Sequence, residues 1–160
     1  MEPNPLPVPW PTWLAGRAPT DRPFTYREAR SEGLTDRQLA AALTAGHIVS
    51  PVRGVFHAAH LDDGLDLRIA CLRLVVPEDA VITDRSAGWL HGASMILAPN
   101  DHLSVPKVSV YRRPGYRLRN KATASGERSF GPDDVVELDG LRVASPLRTA
   151  CDLGRLLHRD

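Results

Sequence analysis

The sequence predicts an α+β protein: a winged helix-turn-helix followed by a small mixed α/β domain with antiparallel strands. Three observations predict it. Two short helical patterns, at Tyr26–Glu32 and Asp36–Ala45, flank a Gly-Leu turn and run straight into a β-prone hairpin tipped by Arg53. Two more helical patterns lie between Leu65 and Ala93. From His102 onward the apolar period changes to two, with Pro, Gly and Asp punctuating the runs.

Composition bounds the class. A chain of 160 residues holds one ordinary domain or two small ones, and 42% hydrophobic with 24% charged residues is a globular balance that excludes a disordered chain. No apolar run approaches the roughly 18–20 residues needed to cross a bilayer. The start, MEPNPLPVPWPTWL, lacks the basic stretch and unbroken apolar core of a secretory signal, so a cytoplasmic protein is expected, with no membrane partner. Cys71 and Cys151 each fall in an apolar helical pattern and are expected to be buried, reduced thiols. A net charge of +1 excludes a protein that coats nucleic acid through bulk charge, but not a small reader with a local basic face.

Along the chain, residues 1–21 read as a flexible leader: six of the fourteen prolines lie in residues 1–19, which excludes a helix. Trp10 and Trp13 either dock on the folded body or belong to that loose segment. Residues 22–60 form the winged unit, with order beginning at Phe24. Thr25 caps the first helix, Glu28 completes a capping box and Gly33 ends it. Thr35 or Asp36 caps the second, which Gly46 stops; Leu39, Ala42 and Leu43 face inward. Two β-prone runs around Pro51–Gly54 make the hairpin.

Residues 61–160 are the second domain, which is expected to be incomplete at its C-terminal end. Leu65, Ile69, Leu72 and Val76 mark one face of a helix, AVIT is a short buried run, and Thr83 or Asp84 caps a helix through SAGWLHGA. LSVP, YRLRN, DVVEL and LRV read as strands, the last two joined by a type I′ turn at Asp139-Gly140. Ser145-Pro146 opens a final helix whose apolar stripe is Leu147, Ala150, Cys151 and Leu157.

No catalytic residue, cofactor or metal site is expected. Glu137 and Asp139 lack the Lys of a nuclease acid box and flank a turn, His91 reads as a packed helix-end histidine, and neither Cys has a His at ligand spacing. The candidate chemistry is DNA binding. Arg37 suits guanine or phosphate, Gln38 adenine and Ala41 a thymine methyl, with Thr35 and Thr44 on the same exposed side. Arg53 suits a phosphate or minor-groove contact from the hairpin, and Thr25, Tyr26 and Arg27 phosphate contacts from the first helix. So few contacts imply either a homodimer or tandem sites on double-stranded DNA. A second basic patch, Arg112, Arg113, Arg117, Arg119 and Lys121 in YRRPGYRLRNK, reads as a further nucleic-acid contact, a docking face for an acidic partner, or a basic hairpin serving solubility alone.

The run FTYREARSEGLTDRQLAAALTAGHIVSPVRGVFHA resembles the N-terminal winged helix of the AbiEi-type antitoxins of type IV toxin–antitoxin systems. AVITDRSAGWLHG and VVELDGLRVASPLRTACDLGR resemble later stretches of that family, the last most specifically. The resemblance spans residues 22–158 and implies a transcriptional autorepressor that binds the operator of its own operon and counters a toxin. Similar chains carry a downstream very-short-patch-repair-like nuclease domain, which makes a targeting or protein-interaction module the alternative. The resemblance places the recognition helix on Thr35–Ala45 and the wing on Val49–His57, and it aligns Arg148, Thr149 and Asp152 with an "RT..D" helix start. The chain departs from the family in its Pro-rich start, which leaves at most a helical stub at Trp13–Gly16, and in the arginine-poor AAALTAG.

Overall fold

A computed structural model describes residues 9–93, 105–116, 118 and 120–157. Arg117, Arg119, residues 1–8 of the leader, the first half of LSVP and the last three residues lie outside the described set. The architecture is mixed α+β, with a three-stranded and a five-stranded sheet, each beside its own hydrophobic cluster.

The first sheet has the order β1-β3-β2. Strand β1 (Phe24–Thr25) pairs antiparallel with β3 (Val55–Ala58), whose other edge takes β2 (Ile48–Val49). Helices α1 (Tyr26–Ser31) and α2 (Asp36–Thr44) lie between β1 and β2 in the chain. Thr25 accepts from the Glu28 amide, and Gly33 and Gly46 take φ of 83° and 74°, as expected, but the Glu28 carboxylate pairs with Arg22, so the expected capping box of α1 is not completed. Phe24 stacks on Phe56 with ring centroids 5.7 Å apart, and Ala29, Leu34, Leu39, Ala42 and Ile48 close the cluster around them.

Two expectations are corrected here. Order begins well before Phe24: Leu14 is fully buried, Ala18 is buried, and Trp10 and Trp13 pack on the same cluster. Residues 11–18 turn through backbone hydrogen bonds from Leu14 and Ala15 to the Pro11 carbonyl and from Ala18 to that of Leu14. Proline blocks a helix at the positions it occupies, but the proline-free run Thr12–Arg17 is free to turn and to bring its large side chains inward. Leu43, expected inside, is 37% exposed, because a nine-residue helix on a small sheet buries only its Leu39–Ala42 edge.

The second sheet has the order β6-β5-β4-β8-β7. Its strands are β4 (Val81–Ile82), β5 (Val108–Arg112), β6 (Thr123–Glu127), β7 (Val135–Leu138) and β8 (Leu141–Ala144). The β4–β8 and β5–β6 pairs are parallel and the β4–β5 and β7–β8 pairs antiparallel, so the sheet is mixed and not wholly antiparallel. Asp139 (φ 45°) and Gly140 (φ 82°) both have positive φ, as the type I′ turn requires. The described positions of YRLRN (Tyr116, Leu118 and Asn120) are not in a strand; pairing falls earlier, on VSVYR, and later, on Thr123–Glu127. Asn120 explains part of that shift: its Oδ1 accepts from the Ala122 and Thr123 amides and the Thr123 hydroxyl, which closes a turn just before β6.

Helices α3 (Leu65–Arg73), α4 (Asp84–Leu90) and α5 (Pro146–Leu157) complete the body. Ile69 and Leu72 of α3 enter the core, whereas Leu65 is 45% exposed. The largest reversal is in α5. Leu147 is 77% exposed and Ala150 and Cys151 face solvent, while Thr149 and Asp152 are buried. Cys71 is buried as expected, its thiol pushed up to about 12 by desolvation, but Cys151 is exposed; neither is in a disulfide.

The two clusters meet at the hairpin. Val52 and Val55, on and beside the β2–β3 turn, are buried in the larger core, and the Arg53 amide donates to the Pro106 carbonyl at 2.9 Å. The turn is thus clamped from its apolar side. No helix among the described residues is long and apolar enough to cross a membrane.

Candidate functional site

Part of the residue set expected on the open side of α2 is exposed. Arg37, Ala41 and Thr44 project from the exposed side of α2, and Arg53 is exposed on the β2–β3 turn. Arg27, Arg37 and Arg53 form no ion pair among the described residues, so their guanidiniums are available to an anion.

Other members of the set are already engaged. The Gln38 Oε1 accepts from the Thr35 amide at 2.9 Å and from the Thr35 hydroxyl at 3.1 Å, while the Gln38 amide donates back to Thr35 Oγ1. That reciprocal capping box occupies the oxygen a bidentate adenine contact would need. Gln38 therefore stabilises the start of α2, and Thr35 does the same. The Tyr26 hydroxyl donates to Asp36 Oδ1 at 2.7 Å, which raises its pKa, and Arg30 donates to the Leu34 carbonyl at 2.7 Å. These bonds lock α1 against α2 and fix the angle at which Arg37 is presented. Thr25 Oγ1 is spent on the cap of α1.

The second basic patch is only partly free. Arg112 is paired with Asp79, donates to the Tyr116 carbonyl at 2.9 Å and lies 5.8 Å from the centre of the Tyr116 ring. Arg113 and Lys121 are exposed.

A site that the sequence reading missed lies where α4, α5 and the end of β6 converge. Asp152, with a side chain 1% exposed, forms an ion pair with Arg128 at 2.7 Å and accepts a hydrogen bond from Arg148 at 3.0 Å through the same Oδ2. Arg148 also reaches Asp134 at 2.7 Å and lies 5.2 Å from the centre of the Phe130 ring. Arg128 lies 4.3 Å from the centre of the Tyr111 ring and donates to its hydroxyl at 3.0 Å. Asp84 completes the group, 3.8 Å from Arg128. It is buried, its φ of 50° is left-handed, and one carboxylate oxygen has no hydrogen-bond partner.

The environments push these carboxyls in opposite directions. Burial raises the Asp84 pKa against the pull of Arg128, whereas the Gly131 amide and Arg148 hold Asp134 below its usual value. Burial works most strongly against the charge on Arg148, but the combined attraction of Asp152 and Asp134 outweighs it and raises its pKa. Only the Arg148–Asp152 spacing of four residues signalled this network in the sequence; Arg128, Asp84 and Asp134 come together through the sheet.

The Asp84 shift gives a signed prediction. A carboxyl whose folded pKa lies above its unfolded value destabilises the fold as pH rises through that window, because the native state must release a proton the unfolded chain has already lost. Asp84→Asn removes that cost, and asparagine tolerates the left-handed backbone. The variant is expected to melt higher than the parent near neutral pH, with the gap closing below about pH 4, where both chains carry a neutral side chain. A lower Tm at neutral pH would show that the ionised carboxylate is needed there.

No group of His, Cys, Asp and Glu among the described residues is arranged to hold a metal ion. No family model and no curated protein matches the chain.

Proposed function

We propose that the chain is a DNA-binding protein of the winged-helix class. In this reading residues 11–18 stand for the first helix, β1 for the short strand that follows it, α1 and α2 for the helix-turn-helix, and β2–β3 for the wing. More particularly, it is an antitoxin-like autorepressor acting on the operator of its own operon.

The observation that carries the reading is the pairing of Arg37 on the open side of α2 with Arg53 on a clamped hairpin. Both guanidiniums are exposed and unpaired among the described residues, and both are held on elements whose geometry is fixed by caps and core contacts. Such preorganisation matters when few contacts are available, because less side-chain and loop ordering opposes binding. Arg37 takes a guanine edge or a phosphate, Ala41 a thymine methyl, and Arg53 a phosphate or the minor groove. With so few charges per copy, useful affinity needs two copies on a repeated site.

The test is fluorescence anisotropy with the DNA upstream of the gene, across a series of salt concentrations. Binding should weaken steeply with salt, and Arg37→Ala with Arg53→Ala should lower the salt slope by about 2 and abolish preference for that DNA. Indifference to DNA at low salt would overturn the reading. It would favour a protein-interaction or targeting module instead, for which exposed Leu43 and Val49, on α2 and β2, supply apolar contact.

A further inference from the structure

The ends of β4, β5 and β8 enclose a concavity of about 310 Å³ whose walls are crowded with guanidiniums. Cross-strand pairing sets its floor: Val81 lies opposite Tyr111 on one side and Arg142 on the other, and directly opposed residues of a sheet project to one face. Arg112 and Arg113 arrive from the end of β5, and Arg128 with Phe130 from the chain just after β6. Among the described residues, four arginines therefore line a cavity with one carboxylate, Asp79, which Arg112 already engages. Arg128 is held by Asp152 and Tyr111. Arg113 and Arg142 have no ion-pair partner among the described residues, although Glu137 is the cross-strand neighbour of Arg142.

We infer that this cavity is an anion site that takes a phosphate monoester of mononucleotide size. Guanidiniums present paired N–H donors that match the oxygens of a phosphate, and a dianion is the charge that several of them are suited to neutralise. Arg112 and Arg128 are fixed by their own partners and shape the walls; Arg113 and Arg142 are the ones that close on the ligand. The volume exceeds what a bare phosphate fills, and Phe130 gives the remaining space an aromatic wall against which a nucleobase can rest. The site is separate from the α2 face and shares no residue with it.

The experiment is isothermal titration calorimetry of the intact chain at low ionic strength with adenosine 5′-monophosphate, adenosine and inorganic phosphate. The monophosphate is expected to bind, phosphate to compete for it, and adenosine to give no heat. Arg113→Ala with Arg142→Ala should weaken binding by at least about tenfold while leaving the circular dichroism spectrum unchanged, because both side chains are exposed and losing one charge-assisted contact typically costs that much. A 5′-phosphorylated tetranucleotide separates the two sources of the group: tighter binding than the mononucleotide assigns it to a strand end, and equal or weaker binding to the free nucleotide. No heat with either phosphate compound, equal binding of adenosine, or undiminished binding by the double variant would overturn the site. Since Arg37 and Arg53 remain in that variant, loss of ligand and loss of operator binding are read independently.

Discussion

Asp152→Ala is expected to cost about 3 kcal/mol and to lower Tm by roughly 6–12 °C, the largest loss of any single truncation in the charge network. Asp152 is the hub: one oxygen of a side chain that is 1% exposed receives both Arg128 and Arg148. Removing it leaves two guanidiniums that are 29% and 17% exposed without their shared anion. An uncompensated buried charge is worse than an absent one, because the desolvation cost stays when the attraction is gone. The partial exposure of both arginines keeps the loss at the low end of that range, since each can turn toward water. Asp152→Asn should cost less, because the amide oxygen still accepts. Arg148→Ala combined with Asp152→Ala should lose clearly less than the sum of the single variants in urea titrations. Strict additivity would mean that the pair does not act as a unit.

The network also shows what the sequence could and could not disclose. Local signals were readable wherever the responsible residues are neighbours in the chain. The Thr25 and Thr35 caps, the Gly33 and Gly46 stops and the Asp139-Gly140 turn all formed as composition and spacing indicate. Arg148 and Asp152, four residues apart on one helix, pair as that spacing allows. Periodicity misled where polar residues do the packing. In α5 the apolar positions Leu147, Ala150 and Cys151 suggested the buried face, yet Thr149 and Asp152 are buried instead. Their partners are the Ala144 carbonyl, Arg128 and Arg148, and two of those are set by folding rather than by spacing along the helix. Apolar patterning carries no information about a buried salt bridge, because its second half sits on another element.

The DNA-facing candidates divide in the same way. Arg37, Ala41 and Thr44 were placed correctly on the open side of α2 by helical geometry alone. The engagement of Gln38 was also legible, since Thr at the cap with Gln at the third helical position is itself the capping-box pattern. What could not be read was the burial of Val52 and Val55 against the second core, which makes the hairpin a clamped one and not a free loop. The anion cavity was hidden for a similar reason: Arg142 is thirty residues from Arg112 in the sequence, and only the β4–β5 and β4–β8 registers bring their strands to one end of the sheet.

Gly126→Ala should be nearly as damaging as the loss of Asp152, at about 1–3 kcal/mol, through a contact between strands. Gly126 is the parallel-strand partner of Tyr111, whose ring lies directly against it. A Cβ at Gly126 would come within 2.8 Å of Tyr111 Cδ1 and closer still to Cε1, well inside any tolerable contact. The obstructing atoms belong to the middle of an aromatic ring, not to the end of a flexible chain, so the whole side chain must swing away. Doing so would break the Tyr111 hydroxyl contact with Arg128 and pull that guanidinium from its place between the ring and Asp152. Tyr111→Ala leaves room for the new methyl, so Gly126→Ala should cost far less in that background, and the coupling should exceed about 1 kcal/mol in a double-mutant cycle. Equal costs in both backgrounds would mean that the ring does not lie over the glycine. The same displacement empties one wall of the arginine-lined cavity, so Gly126→Ala should lose adenosine monophosphate even under conditions where the chain remains folded. In this way the smallest residue of β6 supports both the packing of the sheet edge and the binding site at its end.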